Sequence, residues 1–129
     1  MAEKSVVRTE RAPAPFQGAP YSQAIRVGDL VFVSGQLALR PGENELSGGS
    51  IQEQTDLIFQ NLEAILAEAG SGLDKLVKTT VFLQSLDDFA GMNEVYASRV
   101  GDRPPARSTV EVARLPSGAL VEIDAIAHL

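Results

Sequence analysis

Hydrophobic residues recur along this chain with two different spacings, and these spacings predict the order of its strands and helices. Alternation of apolar and polar residues is typical of strands. Two alternating runs are separated only by Gly28-Asp29, a pair of residues typical of a tight hairpin. The alternation predicts strands at Ser5–Arg8, Tyr21–Val27, Leu30–Leu39, Leu76–Leu83, Ala106–Val112 and Leu120–Ala127.

Two other segments have apolar residues at the spacing of an amphipathic helix. The first helix is predicted to begin after Ser50, because Glu53 completes a capping box, and to end at Gly70. The second is predicted to begin at Ser85 and to end at Gly101. The apolar positions are Ile51, Ile58, Leu62, Ile65, Leu66 and Ala69 in the first helix, and Phe89, Met92, Tyr96 and Val100 in the second.

The predicted order of elements is β-β-β-α-β-α-β-β, which defines the fold class. Strands and helices in this order favour an α+β fold, with two helices packed on a mixed, largely antiparallel sheet. The length of 129 residues suits one domain that spans residues 1–129.

Two of the predicted strands carry apolar side chains on both faces. In the strand Leu30–Leu39 the alternation gives one face to Leu30 and Phe32, and the other to Val31, Val33, Leu37 and Leu39. In the strand Leu76–Leu83, Phe82 lies on the face opposite to Val77, Val81 and Leu83. Two helices of this length cover one face of such a sheet. The other face would expose a hydrophobic patch, so we expect another subunit to cover it.

Composition and charge exclude several classes of protein. The chain has 11 Lys and Arg against 17 Asp and Glu, a net charge of −6, which is opposite to the basic field of a nonspecific nucleic-acid binder. It has no cysteine, and His128 is its only histidine, so thiolate and multi-histidine metal sites are excluded. No apolar run has the length of a membrane span. We therefore expect a cytoplasmic protein that associates with neither membranes nor nucleic acid.

The last two predicted strands hold the candidate chemistry. Arg107 shares a strand face with Thr109 and Glu111, while Glu122 and Asp124 alternate with apolar residues. A charged residue within an apolar sheet requires a partner. The periodicity leaves two interpretations open, a structural pair of arginine and carboxylate or a functional site.

The chain also resembles the Rid family, called YjgF or L-PSP as well, and in particular its RidA branch. The resemblance spans about Ala12 to Ala127. The segments that carry it are Ala19–Ala24, Val33–Gln36, Val77–Phe82, Asp88–Asn93, Pro105–Pro116 and Val121–Ala127.

The resemblance implies a fold, an assembly and an activity. The family has a chorismate-mutase-like α+β fold and forms homotrimers with sites at the subunit interfaces. RidA proteins hydrolyse reactive 2-imino acids, such as 2-iminopropanoate and 2-iminobutanoate, to 2-oxo acids and ammonia without a cofactor or metal. By resemblance, Arg107 would hold the substrate carboxylate and Glu122 would activate water. The pocket would be lined by Tyr21, Ser34, Gly35, Asn93 and Thr109.

Two other functions are compatible with parts of this pattern. A trimer that binds small carboxylates without catalysis, or that acts as a chaperone, would need Arg107 but not Glu122. The family is also described as an endoribonuclease. The negative charge and the position of His128 next to the chain end argue against that activity here.

Overall fold

A computed structural model describes residues 3–129, which form one six-stranded sheet and two helices. The strands lie in the spatial order β1-β2-β3-β6-β4-β5. Neighbouring strands are antiparallel, except that β4 and β5 are parallel. The elements are β1 (Ser5–Val7), β2 (Ala24–Val27), β3 (Leu30–Gln36), α1 (Ile51–Glu68), β4 (Leu76–Leu83), α2 (Phe89–Val100), β5 (Ala106–Glu111) and β6 (Val121–His128). The predicted α+β class and the order of these elements are confirmed.

Both helices pack on the same face of the sheet and enclose the main core. Alternate residues of β6 point into this core, where Phe59 of α1 and Met92 of α2 are fully buried. Asp56 of α1 and Arg99 of α2 form an ion pair, which lowers the pKa of the Asp56 carboxyl. The residues of β6 in the core are Val121, Ile123, Ala125 and Ala127.

The start of α1 follows the predicted capping box. The Ser50 hydroxyl accepts a hydrogen bond of 3.0 Å from the Glu53 backbone N–H, and a Glu53 carboxylate oxygen accepts one of 3.2 Å from the Ser50 N–H. Two backbone donors that would otherwise lack a partner are thereby satisfied. The start of α2 differs from the prediction. Ser85 caps a short 3₁₀ turn, Leu86–Asp88, and α2 itself begins at Phe89.

A bulge in β3 makes part of the predicted face assignment wrong. Val33 lies opposite Ala125 and Gln36 lies opposite Ile123, so β3 holds one residue more than β6 between these pairs. The extra residue reverses the alternation that follows. Leu37 and Leu39 follow the end of β3 and therefore point away from the main core that contains Val31 and Val33. They pack instead in a second apolar cluster with Leu115 and Ala119.

A second irregularity, in β4, makes the predicted face of Val77 wrong. Leu76 lies opposite Ala127 and Lys78 lies opposite Ile126, so one residue of β4 is again extra. Leu76 is buried in the main core, whereas Val77 is 44% exposed. The predicted strand Tyr21–Val27 was likewise too long, because pairing begins only at Ala24.

The other face of the sheet keeps apolar side chains at its surface. Phe32 lies opposite Ile126, and Phe82 lies between Glu122 and Val110. Phe32 is 40% exposed and Val110 is 42% exposed. Neither helix covers this face. The structure thus agrees with the expectation that two helices cover one face of the sheet and leave apolar side chains on the other.

Candidate active site

All the candidate site residues except Thr109 line two clefts on opposite faces of the sheet. Arg107 lies beside Thr79 in the register of β4 and β5, and Thr79 is fully buried on the face that the helices cover. Glu122 lies beside Phe82 on the other face, between the core residues Val121 and Ile123. Because the two side chains project from opposite faces, the described chain does not bring Arg107 and Glu122 together.

The first cleft, which we call the Arg107 cleft, has a volume of about 370 Å³. It lies between the second half of α2 and the segment that leads into β5. Of the predicted pocket residues, Asn93 lies here together with Arg107. The cleft is lined by Asn93, Tyr96, Ala97, Val100, Gly101, Pro104, Pro105 and Arg107.

No carboxylate neutralises Arg107 within residues 3–129. In this part of the chain the one ion pair joins Arg99 to Asp56. The guanidinium carbon of Arg107 instead lies 4.6 Å from the ring centroid of Tyr96 and 5.5 Å from that of Phe89. A structural pair of Arg107 with a carboxylate, one of the two interpretations of the sequence, is therefore wrong for the described chain.

Thr109 lies on the same face as Arg107, opposite Val81 of β4. Its hydroxyl oxygen is buried and has no hydrogen-bond partner among the described residues. The same is true of Thr55, which lies inside α1 in the main core. A buried hydroxyl without a partner costs free energy. The strand that carries Arg107 thus also carries a buried hydroxyl group, that of Thr109, which makes no hydrogen bond within the described residues.

The second cleft, which we call the Glu122 cleft, has a volume of about 270 Å³ and contains three of the other predicted pocket residues. The Ser34 hydroxyl donates a hydrogen bond of 2.6 Å to the Ser22 carbonyl, and the Tyr21 hydroxyl accepts one of 2.6 Å from the Phe16 N–H. Both side chains thus hold the wall of the cleft in place. The cleft is lined by Phe16, Ala19, Tyr21, Ser34, Gly35, Leu37, Pro116 and Glu122.

Glu122 lies across Gly35, at the bulge in β3. A Cβ atom added to Gly35 would lie 2.9 Å from the Glu122 Cδ, which is closer than carbon atoms pack, and 3.2 Å from its Cγ, which is a tight contact. Burial raises the pKa of the Glu122 carboxyl above its ordinary value of 4.5, and the negative charge of Asp124 raises this pKa further. Glu122 is therefore a stronger base than an exposed glutamate.

Two strained turns border the Glu122 cleft. In the turns Phe16–Gly18 and Pro116–Gly118, the central residues Gln17 and Ser117 have φ angles of 54° and 55°. Residues other than glycine rarely adopt this left-handed conformation, and such strain is concentrated at functional sites. Neither turn is among the predicted site residues, although the glycine after each strained residue signals a turn.

Neither a metal centre nor a membrane span is found in the described part of the chain. Among residues 3–129, no group of three His, Asp or Glu side chains could hold a metal ion. No helix formed by these residues is both long and apolar enough to cross a bilayer. His128 ends β6, where its Nδ1 lies 2.8 Å from the Leu129 carbonyl oxygen, and it belongs to neither cleft.

Comparisons with known proteins agree with the fold. The model of the family described as Endoribonuclease L-PSP matches residues 9–129. The chain therefore belongs to the L-PSP family, whose members include proteins named RutC and Rid.

Three relatives show how similar the chain is to other members. A RutC family protein of Pyrococcus abyssi is 50% identical over 125 residues, which is 97% of both chains. The chloroplastic Reactive Intermediate Deaminase A of Arabidopsis thaliana is 44% identical over 127 residues, covering 98% of this chain and 67% of the relative. The crystal structure of E. coli TdcF with bound serine has a TM-score of 0.87 and 38% identity, covering 97% and 98% of the two chains.

The close contact between Gly35 and Glu122 predicts the effect of a methyl group at this position. Gly35→Ala should push the Glu122 carboxylate out toward solvent and lower its pKa toward 4.5, because the side chain would lose its burial. The fold should persist, since the clash involves the end of a side chain. Titration of the Glu122 carboxyl carbon by NMR measures this pKa. Gly49→Ala, where the new Cβ meets no atom within 4 Å, is the control and should leave the pKa of Glu122 unchanged.

The raised pKa of Glu122 also predicts how stability depends on pH. The folded state holds the Glu122 proton more tightly than the unfolded chain does, so the free energy of unfolding falls as pH rises through the window above 4.5. Glu122→Gln removes this loss and should be more stable than the wild type at pH 7, with a smaller difference at pH 4. Urea unfolding at both pH values measures the difference. The exposed Glu63→Gln is the control, and an equal response of both variants to pH would contradict the prediction.

Proposed function

We propose that this protein hydrolyses 2-imino acids, such as 2-iminopropanoate and 2-iminobutanoate, to 2-oxo acids and ammonia. The observation that carries the proposal is the pair of clefts: one presents an arginine without a carboxylate partner, and the other a glutamate of raised pKa. The name of the Arabidopsis relative, Reactive Intermediate Deaminase A, supports the same chemistry. TdcF binds serine, a small 2-amino acid, which supports a ligand of this size and charge.

The proposed site combines the Arg107 cleft of one subunit with the Glu122 cleft of the next. Within one chain the two groups lie on opposite faces, so only a second copy can place them against the same ligand. The sheet face that the helices leave uncovered carries Phe32 and Val110 and offers an apolar surface for this assembly. A closed ring of three subunits would bury the surface of every copy and complete three equal sites.

Arg107 would bind the carboxylate of the substrate. A guanidinium group is planar and presents parallel N–H donors that fit a carboxylate in a bidentate manner. Asn93 lies in the same cleft and could donate a hydrogen bond to the ligand. The buried Thr109 hydroxyl lines neither cleft, so we assign it no contact with the ligand.

Glu122 would act as the general base. The substrate reacts as its protonated imine. The Glu122 carboxylate takes a proton from water while the water oxygen bonds to the imine carbon and the C=N electron pair moves to nitrogen, which gives a carbinolamine. The protonated Glu122 then returns this proton to the amine nitrogen. The C–N bond breaks and ammonia leaves, while the remaining hydroxyl gives its proton to the Glu122 carboxylate and becomes the carbonyl of the 2-oxo acid. The raised pKa suits this role, because a carboxylate of higher pKa accepts a proton from water more readily than an exposed glutamate does.

The remaining predicted residues would shape the place where water attacks. Tyr21 and Ser34 are tied to neighbouring backbone groups, and Gly35 leaves the space that the Glu122 side chain occupies. No step in this scheme needs a metal ion or a cofactor.

The proposed roles predict different kinetic effects for the two charged residues. Arg107→Ala should raise KM and reduce kcat/KM, since loss of a buried partner for a carboxylate costs about 2–5 kcal/mol. Arg107→Lys should rescue poorly because it lacks the planar fork. Glu122→Gln should reduce kcat by roughly 10²-fold or more, with KM little changed. The assay generates 2-aminoacrylate with a dehydratase and measures competition with semicarbazide for the imine. Full kcat in Glu122→Gln would contradict the general-base role.

A site shared between subunits predicts that two impaired variants restore each other's activity. In trimers of randomly mixed Arg107→Ala and Glu122→Gln subunits, about one quarter of the interfaces hold an intact pair, so about one quarter of the wild-type activity should return. Co-expression gives the mixed trimers, and light scattering should give a mass of about three times 13.7 kDa. A mixture of Arg107→Ala with Arg107→Lys is the control. If the first mixture recovers no more activity than the control, the shared site is wrong.

A further inference from the structure

Two aromatic rings hold the guanidinium group of Arg107. Its carbon lies 4.6 Å from the ring centroid of Tyr96 and 5.5 Å from that of Phe89, both within the range of a cation–π interaction. Arg107 is thus attracted to groups that carry no formal charge. Such an attraction leaves the positive charge of the arginine unneutralised, whereas a carboxylate partner would compete with an anionic ligand.

The ring of Tyr96 is itself fixed. Its hydroxyl forms a hydrogen bond of 2.6 Å with the Thr79 hydroxyl, and Thr79 lies beside Arg107 in the register of β4 and β5. The ring also meets Phe59 of α1 in an edge-to-face contact with the centroids 5.4 Å apart. Tyr96 is only 5% exposed. It therefore gives Arg107 a rigid surface anchored in the main core.

Phe89 departs from the apolar stripe predicted for α2. Met92, Tyr96 and Val100 are buried as that pattern requires, but Phe89 is 40% exposed. Burial in the core therefore does not account for a large aromatic residue here. Phe89, Asn93 and Tyr96 are spaced by four and then three residues, so they share one face of α2. That face meets Arg107.

We propose that Phe89 and Tyr96 are positioning residues, which together fix the guanidinium plane of Arg107 so that its N–H donors remain free for the carboxylate of a 2-oxo or 2-imino acid. The choice of ligand rests on the function proposed above. The contact of the two rings with Arg107 does not depend on that function. The two statements can therefore be tested separately.

The first experiment examines Arg107 without a ligand. The ¹⁵N relaxation of the Arg107 Nε–H group is measured by NMR in the full-length protein, with the signal assigned by its loss in Arg107→Lys. Phe89→Leu keeps an apolar side chain but removes the ring, and the Nε–H group should become more mobile. Phe89→Tyr should restore the order of the wild type. Leu86→Ala, which changes another exposed apolar residue of the same segment, should have no effect.

The second experiment measures the dissociation constant of 2-oxobutanoate by calorimetry. Phe89→Leu should weaken binding about three- to tenfold, because a guanidinium group released from the ring must be ordered again when the ligand binds. Phe89→Tyr should bind as the wild type does. In the Arg107→Lys background, measured by NMR titration, Phe89→Leu should add little further loss, because the ring acts through the guanidinium group. The pH dependence of hydrolysis should be the same in Phe89→Leu and the wild type.

These measurements separate the possible failures. Unchanged mobility of the Arg107 Nε–H group in Phe89→Leu would overturn the positioning role. An equal loss of affinity in the Arg107 and Arg107→Lys backgrounds would also overturn it, because Phe89 would then contact the ligand directly. If the wild type does not bind 2-oxobutanoate, the proposed carboxylate site fails, and the mobility measurement still decides whether the rings hold Arg107.

Discussion

The alternation of side chains along β6 determines both the core and the chemistry of this protein. The strand lies inside the sheet, between β3 and β4, and every second residue from Val121 to Ala127 is buried beneath the helices. The residues between them must project from the opposite face. Glu122 is one of these, so the same geometry that completes the core also places a carboxylate on the surface that the helices do not cover.

Burial of a carboxylate without a cation is unfavourable, and here the surrounding structure enforces it. The bulge in β3 brings Gly35, which has no side chain, beneath the Glu122 carboxylate. The strained turns at Gln17 and Ser117 border the same cleft. Glu122 and Asp124 project from the same face two residues apart, and their mutual repulsion adds to the effect of burial. Strain, burial and like charges all concentrate in this one region, which is typical of functional sites and not of a core optimised for stability.

The order of elements was predictable from the sequence because it depends on local patterns. The capping box at Ser50 and the alternation in β6 each need only a few neighbouring residues. The bulges were not predictable, because an extra residue is defined only relative to the partner strand. Leu37, Leu39 and Val77 were therefore assigned to the wrong face.

The candidate site shows the same division between local and nonlocal information. Its residues could be named from motifs, but motifs do not reveal which of them share a cleft. Phe89 was assigned to the core stripe of α2 because its spacing fits that stripe. Only the position of β5 relative to α2 shows that this ring meets Arg107.

The placement of the two clefts has a consequence for the free subunit. A β-sheet lies between Arg107 and Glu122, so no rotation of side chains and no loop movement can bring the two groups together. A fully folded single copy would thus offer the proposed substrate only half of the site, either the arginine or the glutamate. Chain concentration, through the equilibrium between free and assembled subunits, would then switch catalysis on and off while every copy remains folded.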